Sequence, residues 1–581
     1  MTATLLNSLL LTSIIWPLLL MFMLTFKNVR SRLLHLIPWA ALPGLAAVIV
    51  ASSTVTPVEL PWLLLGSTYA LDASGKIFML LAALLWSVSG LYARSYFNRT
   101  EEQVRFYRYF LLAMAGNFIL IVAHDLPSFY FGFALMSFAS YGLVVFKKNA
   151  SAFRAGVMYI SLVLLGEVML FAALLMATHA TDSIIFSTIR EKLIDYPNHD
   201  MIILLTLMSF GIKVGVLGLH VWLPLAYSAA PTPASAVLSG TMINAGILGW
   251  LRFLPLGETA LPNWGTSITI LGFAAAFYGV GIGLTQRDPK TILAYSSISQ
   301  MGIITTLFGL GMLAPKMWPL LLPGIAFYAL HHGLSKGSLF LGVGLCGSQH
   351  HIKRRWIWLG LWLPALALAG APLTSGVIAK HLAKSYALHA PVPWETLLPL
   401  LLSISTVATA LLMARLLYLL RPATEPKGSI PKFGLLWPWI VLLLTIVLVP
   451  LSLGYSFKNS LNNKQLLGSL WPLLLSLFVS IAVYKIRLFH MIKPIPTGDL
   501  LILFESALNV LKNLTKRLDV LGKDYITIQQ HTKAQLDLIQ TAFLTKMGQV
   551  ESALVRWEFA MFFMLIIIAI VGFFALEKVF E

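Results

Sequence analysis

Apolar runs about twenty residues long recur along this chain with short basic loops between them, and that rhythm decides what it can become. Counting such windows gives roughly sixteen spans, near 4–26, 34–53, 76–95, 107–123, 125–146, 155–178, 201–223, 235–256, 265–285, 291–312, 317–346, 357–382, 395–420, 435–455, 467–486 and 557–578. With 58% hydrophobic residues, 11% charged residues and a mean hydropathy of +0.82, the chain lacks the polar surface a water-soluble fold of 581 residues requires. The expected fold class is therefore an all-α polytopic membrane protein. The first run, Leu5 to Phe26, has no basic region before it and no small-residue cleavage site, so it reads as a retained span.

Loop charge tests the count. Basic clusters follow every odd span except the seventh: Lys27/Arg30/Arg32, Arg94/Arg99, Lys147/Lys148, Arg287/Lys290, Lys353/Arg354/Arg355, Arg421/Lys427 and Lys485/Arg487. Even-numbered connections are mostly poor in cations, although 178–200 and 456–466 are mixed. The net charge of +18 is thus topogenic and not a nucleic-acid footprint. It places the odd-numbered span ends in the cytoplasm and both termini outside, in what is expected to be a bacterial inner membrane.

Residues 498–555 break the pattern. Phe504, Leu508, Leu511, Leu514, Leu518, Leu521 and Tyr525 keep a three-four spacing, with Lys512, Lys516, Asp519 and Lys523 off that stripe. As one helix the segment would reach on the order of 85 Å, with an apolar face too narrow to span a bilayer. A lateral cytoplasmic helix docked on neighbouring subunits, pinned by the final span 557–578, fits it better than a soluble coiled-coil tail.

Ionisable groups inside the spans are few: Glu167, Lys213, His220, His331, His332, Lys336 and Lys380, accompanied by polar Asn244 and Gln300. Lysines near span ends commonly snorkel, and a lone intramembrane histidine is commonly hydrogen-bonded packing. Lys213 and Lys380, however, read as mid-span, where an ammonium is costly unless it is paired, wetted or used. The Pro- and Ala-rich stretch from Pro224 to Pro233 reads as an interruption of the Lys213 helix, with a second helix starting at Ser235. Irregular backbone at bilayer depth implies a protein-lined path. Desolvation weakens a buried lysine's hold on its proton and a nearby carboxylate restores it, so a row of such groups linked by water and histidine can pass protons.

Other chemistry finds little support. Gly342-Val-Gly344-Leu-Cys-Gly347 fits G-x-G-x-x-G but lies inside an apolar span with no strand before it, so close helix packing is expected of these glycines. There is one cysteine, Cys346, and neither a phosphate loop nor an H-E-x-x-H zinc motif, so no cofactor or redox chemistry is expected of the chain itself.

GIKVGVLGLHVWLP (211–224), PTPASAVLSG (231–240), LAYSSISQMG (293–302), HHGLSKGSLFLGVG (331–344) and GAPLTSGVIAKHL (370–382) resemble the antiporter-like subunits of respiratory complex I, Mrp-type cation/proton antiporters and energy-converting hydrogenases. The resemblance covers roughly residues 60–420, and the architecture beyond is most like the distal, longest complex I subunit with its lateral helix. It implies two inverted five-helix repeats, 105–256 and 265–420, each with a broken helix carrying a lysine, Lys213 and Lys380, and a broken helix between them with His332 and Lys336. Residues 1–100 and 435–486 then supply further spans. The family's glutamate in the fifth span is replaced by Ala134, the lysine or histidine of the eighth span by Asn244, and the first histidine of the eleventh-span motif by Tyr328. Glu167 is the expected substitute for the missing acid. The resemblance implies a proton-translocating subunit of a larger complex, whose partner is a hydrogenase arm, a dehydrogenase arm or an inorganic-carbon (CO2/bicarbonate) uptake protein. Na+/H+ exchange and a non-conducting scaffold are the other readings, and the absence of a catalytic constellation argues against a stand-alone enzyme.

Overall fold

A computed structural model describes residues 2–51, 57–347, 354–422, 433–455, 463–486 and 494–498. The expected lateral helix 498–555 (beyond Gly498) and the final span 557–578 lie outside the described residues. The helices, in chain order, are α1 (Thr2–Met23), α2 (Arg30–Leu36), α3 (Leu42–Val50), α4 (Ala73–Tyr96), α5 (Thr100–Val122), α6 (Leu126–Val144), α7 (Ala150–Thr181), α8 (Phe186–Lys192), α9 (His199–Val214) and α10 (Trp222–Ala229). Then follow α11 (Thr232–Val237), α12 (Ile243–Phe253), α13 (Pro262–Thr285), α14 (Pro289–Leu313), α15 (Trp318–Gly347), α16 (Arg354–Ala369), α17 (Ser375–Ala387), α18 (Trp394–Leu420), α19 (Phe433–Ser452) and α20 (Asn463–Lys485). Among the described residues the only strands are two of three residues each, β1 (Val58–Leu60) and β2 (Ser67–Tyr69).

Two compact units divide it. The first takes in residues 1–59 and 67–497 and holds the twenty described α-helices. The second takes in 60–66 and 498–581; of it, the structure describes the turns at 60–66, where Leu63 N–H donates to Leu60 O (3.1 Å) and Gly66 N–H to Leu63 O (2.9 Å), together with Gly498.

Among the described residues, twelve segments are long and apolar enough to cross a membrane, which makes the protein a polytopic α-helical membrane protein. The expected windows outside that set are 201–223 and 357–382, which are interrupted, the 30-residue α15, and the undescribed 557–578. α15 is continuous, so His332 and Lys336 lie on an unbroken helix and not on the broken one expected between the two lysines. It is buried almost throughout, against α4, α11, α14, α16, α17 and α19. Tight helix contacts use missing side chains: a Cβ on Gly272 of α13 would stand 2.6 Å from the Gly302 carbonyl of α14. The same holds for two of the three G-x-G-x-x-G glycines. A Cβ on Gly342 would stand 2.4 Å from Leu361, and one on Gly344 2.4 Å from Thr232, whereas Gly347 faces open space.

Candidate proton path

The Lys213 helix breaks earlier than its prolines suggest. α9 ends at Val214, and Gly215 turns left-handed (φ 77°) so that the amides of Gly215 and Val216 both donate to Gly211 O (2.9 Å each). Trp222 Nε1 satisfies the next orphaned carbonyl, Ile212 O, at 2.7 Å. Pro224 sits in the first turn of α10 and Pro233 in the first turn of α11, positions where a helix loses no bond to proline. The interruption is therefore 215–221, with a second, shorter one at Ala230–Pro231. The chain resumes as a helix at Thr232, not at Ser235.

That break leaves Lys213 in the last turn of α9, where the helix dipole favours a cation. The residue is 2% exposed. Its Nζ donates to Ser137 Oγ of α6 (2.9 Å) and Tyr159 Oη of α7 (3.3 Å) and lies 5.4 Å from the Phe133 ring centre. Glu167 lies two turns along α7 from Tyr159, on the same buried face. It interacts electrostatically with Lys213 and Ser137, yet neither carboxylate oxygen makes a hydrogen bond. Ala134, in the position of the expected acid, is a buried apolar residue one turn from Ser137. His220 lies in the turn of the break: its Nδ1 accepts from Gly218 N–H (3.3 Å), and its ring packs edge-on against Tyr278 (5.2 Å).

Lys380 follows the second interruption. α16 ends at Ala369, Gly370 is left-handed (φ 80°), and α17 starts at Ser375. His331 of α15 meets that start, its Nδ1 2.8 Å from Ser375 Oγ. Lys380, 8% exposed, has an Nζ with no hydrogen-bond partner and lines a cavity of about 10 Å³, room for one water, with Tyr328, Lys384, Ser405 and Thr406. Tyr328 Oη donates to Gln300 Oε1 (2.9 Å), and Gln300 Nε2 to Thr409 Oγ1 (3.0 Å). Two turns beyond Tyr328 on α15, Lys336 Nζ donates to Leu293 O (2.7 Å), and both ring nitrogens of the fully buried His332, one turn before it, are unpaired.

Residues 123–411 match the model of the NADH:quinone oxidoreductase/Mrp antiporter transmembrane family. Over those residues the chain belongs to that family. Its relatives include hydrogenase-4 component B of Escherichia coli K12 (30% identity over 337 residues, 54% of this chain and 50% of the relative). A putative antiporter subunit mnhA2 of Staphylococcus saprophyticus is 31% identical over 57% of this chain and 45% of its own length. F(420)H(2) dehydrogenase subunit N of Methanosarcina mazei is 26% identical over 69% and 84%. The chain spans about half the length of the first two relatives. The fold is that of a chain in the Mrp complex from Dietzia sp. DQ12-45-1b (TM-score 0.71, 20% identity, 94% of this chain and 63% of that one) and of one in the archaeal membrane-bound sulfane sulfur reductase (TM-score 0.67, 20% identity, 92% and 99%).

Within this antiporter-family chain the expected residues thus fall into two groups, Glu167 with Lys213 and the break that carries His220, and His331, His332, Lys336 and Lys380 with Tyr328 and Gln300. Asn244 stands apart from both: its Nδ2 donates to Gly240 O (2.7 Å) and Ala329 O of α15 (3.4 Å), and its Oδ1 is unpaired. It follows a π-helical turn, Leu238–Met242, in which each backbone bond spans one extra residue. Ser137 and Tyr159 were not legible as site residues. The available signal was spacing: Ser137 is one turn from Ala134, and Tyr159 two turns from Glu167.

Proposed function

We propose that this chain is a proton-translocating, antiporter-like subunit of a larger energy-coupling membrane complex. The observation that carries the reading is the Lys213 amine held by two hydroxyls beside a buried, unbonded Glu167 carboxylate. A charged pair kept just out of contact in a low-dielectric interior is bistable: a proton on the carboxylate releases the ammonium, and its loss draws the ammonium back. His331, His332, Lys336 and Lys380 form the corresponding relay of the second half. The two breaks, each at a left-handed glycine near a lysine, support inverted repeats over 105–256 and 265–420. We further read the full count as about sixteen spans, with cytoplasmic odd-numbered ends and a lateral helix over 498–555 docking on neighbouring subunits in a bacterial inner membrane.

Lysine-lined walls repel a bare cation and pass a proton by exchange, which favours H+ over Na+. The test is coupled proton uptake by the intact complex. Lys213→Ala and Lys380→Ala should each abolish it while leaving assembly unchanged. Full uptake in either variant would overturn the relay and leave only an anchoring role.

A further inference from the structure

At the span ends, a charged cluster sits where several segments of the first half meet. Asp72 caps α4, accepting from Gly75 N–H at 2.7 Å, and receives both arms of Arg252 from the end of α12, at 2.6 and 3.1 Å. Arg252 is 5% exposed, and its Nη2 also reaches Ile121 O (3.4 Å) at the end of α5. His124 follows α5, and Arg190 of α8 donates to Leu251 O (3.3 Å). The Nε atoms of Arg252 and Arg190 and Nε2 of His124 are buried without a partner.

Directly inside lies a cavity of about 10 Å³, lined on its polar side by Asn117, Thr241 and Asn244. Its apolar side includes Ile121, whose carbonyl Arg252 holds, and Leu248, one turn before Arg252. A water there would find the unpaired Asn244 Oδ1. Asn117 Nδ2 reaches Met136 Sδ (3.6 Å), whose neighbour Ser137 accepts from Lys213. The cavity and the Lys213 site thus meet on adjacent residues of α6, Met136 and Ser137, and the cavity reaches the ion pair at Ile121 and Leu248.

We propose that the Asp72–Arg252 pair is a gate, closing the polar interior around Lys213 against the membrane face where α4 begins and α5 and α12 end. The assignment rests on the proton-path reading above and adds the place where that path opens. A pair that only pinned two helices would need no wettable cavity behind it. Burial, and then the Arg252 charge, pull the His124 pKa down to about 4, so the ring is neutral while the gate is shut and gains proton affinity once the guanidinium moves away.

The experiment uses the full chain in proteoliposomes with a pH dye inside and a potassium diffusion potential across the bilayer. Asp72→Asn should admit protons several-fold faster than the unaltered chain, and adding Lys213→Ala should return entry to the unaltered rate. Arg252→Lys keeps the charge but loses the fork, and covers the case in which Asp72→Asn does not fold; it should leak less than Asp72→Asn but above baseline. Folded variants with no added leak, or a leak that survives Lys213→Ala, would overturn the gate. Loss of coupled uptake in Lys213→Ala alongside a silent Asp72→Asn would remove the gate and leave the relay standing.

Discussion

Lys380 lies across the face of Gly370: a Cβ built on that glycine would stand 2.7 Å from the lysine's Cδ. The same glycine carries the left-handed turn that breaks the helix (φ 80°). One residue thus makes the interruption and clears the room through which the ammonium's stem passes. Gly370→Ala should cost about 1 kcal/mol or more in backbone strain and push Lys380 aside. Thermal melting in detergent should show a modest loss of stability with proton uptake falling much further. Uptake lowered only in step with stability would mean that the position of Lys380 does not matter.

Gly215 is the counterpart at the first break, with a harsher contact. A Cβ there would stand 2.0 Å from Leu223 Cδ1 in a left-handed backbone (φ 77°). Leu223 is fully buried in the first turn of α10, so its side-chain tip must swing aside against close packing. Gly215→Ala is expected to be the more destabilising of the two, by roughly 2–4 kcal/mol when overpacking and backbone strain act together. Side-by-side melting of the two variants decides it, and an equal or smaller loss at Gly215 contradicts this ranking.

Glu167→Gln keeps the shape of the buried side chain and removes its charge. If Glu167 stands in for the acid missing at Ala134, proton uptake should fall by at least about tenfold, the loss expected when a positioned acid–base group is removed. Restoring an acid in the double variant Glu167→Gln/Ala134→Glu should recover part of it, since Ala134 is one turn from Ser137 on the same helix. Unchanged uptake in Glu167→Gln sinks the assignment.

What the sequence revealed tracks energetic cost. Lys213 and Lys380 stood out because an ammonium in an apolar run is expensive, and both are buried in the structure. Ser137 and Tyr159 carry no such cost, so the two hydroxyls that hold Lys213 looked like ordinary helix residues. The break was misplaced for a related reason. Pro224 and Pro233 are strong punctuators, but each occupies a first helical turn, where proline is tolerated, whereas Gly215 and Gly370 looked like two of many glycines. The unbroken α15 shows the limit of resemblance: its Pro323 lies close to the helix start, and the helix runs on past His332 and Lys336.

The cluster around Asp72 makes stability depend on pH with a definite sign. His124 is hemmed by Asp72, Arg252 and Arg190, and burial with the Arg252 charge lowers its pKa from 6.5 to about 4. Between those values the unfolded chain binds a proton at this residue and the folded chain does not, so stability falls as pH drops from about 6.5 to about 4. Asp72 adds to the loss at still lower pH. Burial raises its pKa, but the Arg252 charge and hydrogen bonds outweigh that and hold it well below the usual carboxylate range. Its contribution, present above the unfolded value, is lost as the acid is protonated. His124→Gln removes the first component alone. Relative to the unaltered chain it should lose less stability between pH 6.5 and pH 4.5, by on the order of 2 kcal/mol. Melting curves across that window check it, and parallel curves for the two proteins would mean His124 charges as freely in the fold as out of it.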